Sequence, residues 1–368
     1  MDKISFSCRP LTDCDGLAVN WRDLESRADG GFFLSWDWVG TWLAAVSNDA
    51  YLLEGRLDGR IVVLGILCGK APRGLRGFAG STFYLHQTGD PQADRIAIEY
   101  NGLLRDRSVP VGCVSDAIAA LRAVDGLAWD ELFLGGLPEE LADIVAECGL
   151  PVRTWARVPT ARVDLASLRE SGRDYLAGLS ANTRAQIRRA IRRYEERGDL
   201  RLDAAADVET ALTYFQALGG LHQRHWESRG ETGAFASPFF VAFHRRLIEA
   251  CVPTGQVELL RLSAGDTDIA YLYNFVDGPS VRYYASGIRY EDDNRLKPGL
   301  IAHAMCVERH LAGGKDVYDF MAGAARYKSS LGEAGPNMVD CIVERPSATQ
   351  FFKRILRWVR DRMSDRNG

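Results

Sequence analysis

The sequence has no apolar run long enough to span a bilayer; the longest, Ile61 to Cys68, has the length of a buried strand. Its opening residues, MDKISFSCRP, lack an apolar signal core, so the expectation is a cytoplasmic protein. The 8 cysteines are scattered, with no CxxC pair and no accompanying His spacing. That pattern excludes a zinc-finger framework and predicts buried thiols in a reducing compartment rather than a disulfide scaffold. Basic charge is not in excess either: 45 Lys and Arg against 49 Asp and Glu leave a net charge of -4, which argues against a general nucleic-acid binder. What is present is ordinary globular composition over 368 residues, enough for two domains with cores of their own.

Element order falls into two similar halves, predicted as 1–155 and 156–346, followed by a basic amphipathic helix over 347–368. In the first half, Ser35 can cap a helix carrying Trp38, Val39, Trp42, Leu43 and Val46, whose helical spacing favours core packing over a ligand cage. Asp58-Gly59 between Tyr51-Leu52-Leu53 and Ile61 to Leu64 predicts a hairpin. Residues 70 to 95 are expected to be loop. A strand near Ile96 to Leu104, a helix near Ser115 to Val124, a strand through Trp129 to Leu134 and a short helix from Glu139 to Cys148 follow. The second half runs helix (Leu212, Phe215, Leu218, Leu221), strand, the turn at Gly265-Asp266, strand, then a strand feeding a helix and a last strand ending in Val317 to Met321. We read this order as a degenerate tandem repeat of one α/β unit. Only the second copy puts Arg295, Lys297 and Gly299 directly at a helix start, where free backbone N–H groups and basic side chains suit phosphates.

Several other residues carry two readings each. Asp319 closes an otherwise apolar strand, as a general base or amine anchor, or as an acceptor for loop N–H groups. Tyr327 could protonate a leaving group or sit buried with a satisfied hydroxyl, and Lys328 overhangs the same cleft or is solvated. His222 and His225, near Trp226 and Arg229, share one side of a helix without a third ligand at useful spacing, so acceptor recognition is favoured over metal. His303 and His310 read as ordinary helix residues. Thr183 and Gln186 form a capping-box pattern opening an arginine-rich helix, Arg184 to Arg197, that is either solvated or an anion contact. A second box, Ser347 and Gln350, precedes Phe351 to Met363, with Lys353 to Arg360 opposite: a segment that docks on the core or meets an anionic membrane.

Leu221 to Trp226 with Gly230 and Gly233-Ala234-Phe235, then Tyr283-Tyr284, Gly287, Pro298-Gly299, Tyr318-Asp319-Phe320 and Tyr327-Lys328 together resemble GNAT-superfamily acyltransferases. The type is that of BioF2-like and CelD (BcsL)-like cellulose-biosynthesis proteins, distantly related to the Fem-type aminoacyl transferases. The resemblance covers residues 160 to 345 and implies an α/β, tandem GNAT-like fold of two mixed sheets flanked by helices. It implies N-acyl transfer, with acetyl-CoA as donor and an amino group of a sugar or exopolysaccharide precursor, small or lipid-linked, as acceptor. Under that resemblance Asp319, Tyr327 and Lys328 are the catalytic set and Ser286, Gly287, Arg295, Lys297 and Gly299 the donor set. His222, His225, Trp226, Arg229 and Tyr284 are the acceptor set, and no metal is required. A backbone N–H near Ser286-Gly287 can polarise the carbonyl, and no Cys or Ser stands in a nucleophile arrangement, so direct transfer in a ternary complex is expected. Two alternatives remain open: a Fem-like transferase using aminoacyl-tRNA, and a catalytically silent nucleotide-binding regulator of exopolysaccharide synthesis.

Overall fold

A computed structural model describes residues 3–46, 49–70, 81–124 and 127–346. The C-terminal segment 347–368, with its expected amphipathic helix, lies outside the described residues. The chain divides into two units, one formed by Met1–Arg157 together with the chain from Met338 onward, the other by Val158–Asn337.

In the first unit, β1 (Ser5–Pro10) and two short helices, α1 (Cys14–Glu25) and α2 (Trp36–Leu43), lead into the hairpin of β2 (Ala50–Leu57) and β3 (Arg60–Lys70). Asp58 and Gly59 both take positive φ, 50 and 80°, the geometry of a tight turn matched to strand twist. Ser35 caps α2 by accepting from the Trp38 N–H, and Trp38, Val39 and Trp42 are buried as core. Then come β4 (Thr82–Leu85), β5 (Leu104–Arg105), α3 (Cys113–Ala120), β6 (Glu131–Pro138), α4 (Glu139–Ala146) and β7 (Val152–Val158). Two expectations need correction here. The stretch expected to be loop contains β4, whose four residues alternate between half-buried and buried. The strand expected at Ile96 to Leu104 shrinks to Leu104–Arg105, because left-handed backbone at Ala97 and Tyr100 breaks the extended run.

The second unit opens with β8 (Thr160–Asp164), α5 (Leu165–Ser171), α6 (Tyr175–Gly178) and α7 (Ala181–Glu195). Ser180, rather than Thr183, caps α7, accepting from the Thr183 N–H at 3.1 Å, so the arginine-rich helix starts earlier than its capping-box pattern suggests. After β9 (Leu200–Ala204), α8 (Val208–Glu227) and α9 (Pro238–Cys251) comes a three-strand meander, β10 (Val257–Ala264), β11 (Thr267–Asp277) and β12 (Ser280–Ile288). Then α10 (Pro298–Ala312) crosses to β13 (Val317–Ala322), followed by α11 (Arg326–Leu331) and β14 (Glu333–Ala334). The last strand, β15 (Met338–Glu344), pairs antiparallel with β6 in the first unit's sheet. Residues 338–344, assigned on sequence to the second half, therefore complete the first.

Each unit holds one mixed sheet: β1-β2-β3-β4-β6-β15-β7 with β5 beside β3, and β14-β8-β13-β12-β11-β10-β9. The same motif recurs in both. Three strands joined antiparallel, β2-β3-β4 or β10-β11-β12, are followed by a crossover helix and a strand parallel to the third. In the second unit, Ile187, Ala190 and Tyr194 of α7 and Ile301, Ala304 and Val307 of α10 share a core with Leu260, Leu272 and Val281. The alternate strand residues face the other way, where Phe215 of α8 and His244 of α9 pack edge-on against Tyr273.

Gly287 fixes how closely α8 approaches β12. A Cβ there would collide with the Leu218 carbonyl oxygen and stand 2.7 Å from Leu218 Cα, both of them backbone atoms that cannot rotate away. Gly287→Ala is therefore expected to lower stability by about 1–3 kcal/mol, read as a drop in the urea midpoint without change of slope.

Candidate functional site

The site begins where two strands part. Parallel pairing of β12 with β13 is confined to Ser280–Arg282 opposite Val317–Asp319, and beyond it the two strands diverge. Both are bent at that point. In β12, Tyr284 is an extra residue between Tyr273↔Ala285 and Asn274↔Tyr283, a bulge that bends the strand. In β13, Met321 takes φ 59°, and the Asp319 carboxylate accepts its N–H at 2.7 Å.

The opening is a cavity of about 640 Å³. One end is the start of α10. Lys297 precedes the helix in left-handed conformation, φ 45°, and Pro298 is its first residue. The next backbone N–H groups, of Gly299 and Leu300, have no intrahelical acceptor by position, whereas Ile301 already donates to Lys297. A Cβ on Gly299 would meet no protein atom within 4 Å, so nothing in the protein requires glycine there, and the space above it belongs to the cavity.

At the other end stands Lys328, buried to 8 % exposure. Its ammonium donates to the Met321 and Ala322 carbonyls, at 3.2 and 2.5 Å, where β13 ends. Gly323 makes room for it: a Cβ there would lie 3.0 Å from Lys328 Nζ, and φ 134° excludes most other residues. Between the two ends runs a hydroxyl chain, with Tyr283 bonded to Ser286 at 2.7 Å and to Tyr327. Burial, reinforced by its tyrosine neighbours, raises the Tyr327 pKa well above the ordinary phenol value, so the hydroxyl keeps its proton. The His303 ring lies parallel to Tyr327 at 5.0 Å and edge-on to Tyr283 at 4.5 Å.

The third wall comes from α8. Trp226 Nε1 donates to His222 Nε2 at 2.9 Å, which leaves the imidazole proton on Nδ1. His225 stacks on the exposed Tyr290 at 4.8 Å. Burial, with His225 adding to it, lowers His222 to about 4, and burial, with Lys328 adding to it, lowers His303 to about 3. Both imidazoles are neutral at pH 7.

Sequence reasoning grouped thirteen residues, and most of them converge. His222, His225, Trp226, Arg229, Tyr284, Ser286, Lys297, Gly299, Tyr327 and Lys328 all line this one cavity. Tyr284 also bonds His244 Nε2 at 3.0 Å through its hydroxyl. Three residues stand outside the lining. Arg295 folds back on Asp293 in a two-pronged pair, 2.8 and 2.9 Å, which holds the Asp293 carboxyl well below the usual range; its charge is spent within the loop. Gly287 faces α8. Asp319 holds the bend of β13, the loop-acceptor reading of the two that sequence allowed. Sequence reasoning in turn passed over Tyr283 and His303. Tyr283 entered only as one residue of the family resemblance, without a role, and His303 falls on the helical period of buried neighbours.

Residues 181–329 match the family described as acetyltransferase (GNAT) domain. The second unit carries a GNAT acyltransferase domain. The matched stretch includes every residue of the cavity wall, so the GNAT domain and the cleft coincide. Curated proteins give no match to the sequence. Among solved structures the chain is similar to FemX, with TM-score 0.60 and 11% identity over 95% of this chain and 99% of that one. It is also similar to the C-terminal domain (DUF2156) of a protein described as a lysylphosphatidylglycerol synthetase from Agrobacterium fabrum, with TM-score 0.54 and 11% identity over 93% and 95%. A third is L-PGS from Bacillus licheniformis, with TM-score 0.52 and 8% identity over 92% and 94%. At such identities the likeness is one of fold, and the fold is tandem GNAT-like, two mixed sheets flanked by helices. Among the described residues no three His, Cys, Asp or Glu side chains gather into a metal site, and no helix is long and apolar enough to cross a membrane.

The two neutral histidines give the GNAT domain an acid-side weakness. Unfolded, each binds a proton as pH falls through about 6.5; folded, His222 and His303 resist until about 4 and 3. The unfolded chain thus holds more protons in that window, so stability is full above pH 6.5 and is lost progressively below it. Urea midpoints should fall between pH 7 and pH 4.5, and His303→Asn should make that fall shallower. An equal fall in the variant would exclude His303 as a source.

Proposed function

We propose that this cleft transfers an acyl group, acetyl from acetyl-CoA, to an amino group on a sugar or exopolysaccharide precursor, as in the BioF2-like and CelD-like proteins that the sequence resembles. The observation that carries the reading is the parting of β12 from β13 directly above the start of α10. A parted strand has a row of unpaired peptide groups that an extended thioester arm can pair with, as added strands do. The donor's phosphates then meet the N–H groups of Gly299 and Leu300 and the Lys297 ammonium, and the space above Gly299 admits them without a Cβ in the way.

In the transfer itself the amine nitrogen bonds the carbonyl carbon, negative charge gathers on the carbonyl oxygen, and the carbon–sulfur bond breaks as the nitrogen's proton passes to sulfur. A backbone N–H of the free β12 edge and the Lys328 ammonium stabilise the oxyanion. Tyr327 stays protonated and donates a hydrogen bond to the departing sulfur. The chain from Ser286 through Tyr283 lets a proton shift along it without any hydroxyl becoming charged. The acceptor occupies the α8 side, against His222, His225 and Trp226, with Arg229 at its rim. Asp319 acts at one remove, through the bend it imposes on β13.

A second reading, aminoacyl transfer from aminoacyl-tRNA in the Fem manner, is favoured by the loop's charges. Pro298 has no N–H and Arg295 is taken by Asp293, so phosphate capacity at the helix start is small. Arg188, Arg189 and Arg192 of α7 are exposed and would offer a polyanion a separate track. Site of action is part of the same proposal: cytoplasmic, with a peripheral contact to an anionic inner-membrane surface through Lys353–Arg360.

Calorimetric titration with acetyl-CoA separates the two. Binding is expected, weakened about tenfold or more in Lys297→Ala and Gly299→Val, with Lys328→Ala and Tyr327→Phe binding normally but turning over at least tenfold more slowly. No heat at millimolar acetyl-CoA, together with binding of aminoacyl-tRNA, would replace the acetyl reading by the aminoacyl one. Unchanged affinity in both loop variants would mean that the donor lies elsewhere.

A further inference from the structure

The cleft carries one aromatic ring that the core does not absorb. Among the described residues of the second unit, Tyr290 alone is a large apolar side chain left exposed, at 59 %. A single exposed aromatic is ordinary on a protein surface, but this one lines the cavity, just beyond the end of β12. Its hydroxyl end reaches inward: burial raises the phenol pKa, with Arg229 pulling it back, and charge there would be felt at the Tyr283 and Tyr327 hydroxyls.

The ring is presented on fixed backbone. On one side of it in the chain, the Arg289 N–H donates to the Ile269 carbonyl at 2.9 Å and the Arg289 guanidinium to the Asp268 carbonyl at 2.7 Å. On the other, both carboxylate oxygens of Glu291 accept from Arg197 at 2.9 Å. His225 backs one face of the ring, 4.8 Å away and inclined by 27°. With that face covered, the exposure belongs to the opposite face and the edge. A ring so anchored, backed and open at a cavity wall is a platform on which a flat apolar surface can settle without ordering anything further.

The surroundings decide what settles there. Arg229 lines the same wall and is felt at the phenol, so a cation laid on the ring would meet a like charge. A pyranose meets both demands of the place: one of its faces is a flat patch of C–H groups that leaves water against an aromatic ring, and its rim of hydroxyls suits the polar cavity wall that includes Arg229 and Asn294. We infer that Tyr290, backed by His225, is a specificity-determining residue on which the pyranose ring of the acceptor stacks, so that the cleft prefers a cyclic aminosugar to an acyclic amine. The inference rests on the acyl-transfer reading above for the amine that this sugar bears. It adds the contact that holds the sugar: one C–H face lies on Tyr290, and the other turns away from it.

The face supplies a test that needs no turnover. In saturation-transfer NMR on the full chain with methyl β-D-glucosaminide, the axial hydrogens of one ring face should receive about twofold more signal than those of the other, in the parent and in Tyr290→Phe alike. The difference should vanish in Tyr290→Ala. Equal transfer to both faces in the parent, a difference that persists in Tyr290→Ala, or no transfer at all overturns the assignment. Initial rates with acetyl-CoA should show KM for D-glucosamine raised about tenfold in Tyr290→Ala and within about twofold of the parent in Tyr290→Phe, with KM for the acyclic amine serinol unchanged in both. A serinol KM raised as much as that for glucosamine would mark Tyr290 as a support of the cleft and overturn the assignment. So would a weaker calorimetric Kd for acetyl-CoA in Tyr290→Ala beside an unchanged sugar signal, which would give the ring to the donor's adenine. Failure of acetyl-CoA to bind the parent, with the face difference present, overturns only the donor reading.

Discussion

The candidate site of the second unit depends on one broken ladder. A parallel strand pair normally runs its hydrogen bonds to the end, because each unpaired buried peptide group costs free energy. Here β12 and β13 stop after three residue pairs, and each is bent away by a device outside the pairing itself. On β12 the device is the Tyr284 bulge together with Gly287, which lets α8 press its backbone against the strand. On β13 it is Asp319, whose carboxylate holds Met321 in a left-handed conformation that costs a non-glycine residue about 1–2 kcal/mol. Lys328 then ties down the two carbonyls that this bend exposes. Strain in the frame and an opening that can take a substrate are thus the same feature.

The first unit shows what happens when such an opening is closed from within. Its strands β4 and β6 also pair in parallel over three positions, Thr82–Tyr84 with Glu131–Phe133. Beyond them, Asn101 donates from one amide to the Leu85 carbonyl on β4 and to the Gly135 carbonyl on β6, at 3.0 and 2.9 Å. His86 Nδ1 stands 2.9 Å from Asn101 Oδ1, and its Nε2 accepts the Ile66 N–H at 3.1 Å. The edge groups that face a cavity in the second unit are here satisfied by the protein's own side chains. Burial lowers His86 to about 4, so this closure is held by a neutral ring. Two copies of one motif have taken two answers to an unpaired edge: fill it with side chains, or leave it facing a cavity.

Much of this was legible in the sequence, and the boundary of legibility has a physical cause. Hairpins at Asp58-Gly59 and Gly265-Asp266, the cap at Ser35 and the Pro-Gly start of α10 are local, set by residues that touch their own neighbours, and local chemistry is what sequence patterns report. The convergence of α8, β12, α10 and α11 on one cavity could be expected only through the family resemblance. Sequence left Asp319 between a catalytic and a loop-acceptor reading and offered the backbone near Gly287 to the donor's carbonyl; in the structure both residues answer to other backbone, the Met321 N–H and the Leu218 carbonyl. Nothing within a few residues of either reveals that partner. His303 was hidden for the opposite reason, since its spacing agrees with the buried face of α10 and a periodic pattern cannot show that one buried nitrogen lacks a bond.

Charge in the cleft follows the same division between what is spent and what is left. Glu291 and Asp293 line the cavity, an unexpected wall for phosphates, but Arg197 meets Glu291 at 2.9 Å while Arg193 and Arg295 meet Asp293. Three arginines and two acids therefore form a clamp that fixes the loop ahead of α10 against α7, and pairs this exposed fix geometry more than they add stability. With those cations engaged, the field at the helix start comes from Lys297 and the unsatisfied N–H groups alone, a short-range, directional attraction suited to a few phosphate oxygens. The remaining exposed arginines of α7 lie in solvent, where salt screens them beyond about 8–10 Å. On the proposed reading a compact donor would be held by the helix start, and an extended polyanion would have to gain most of its attraction from α7.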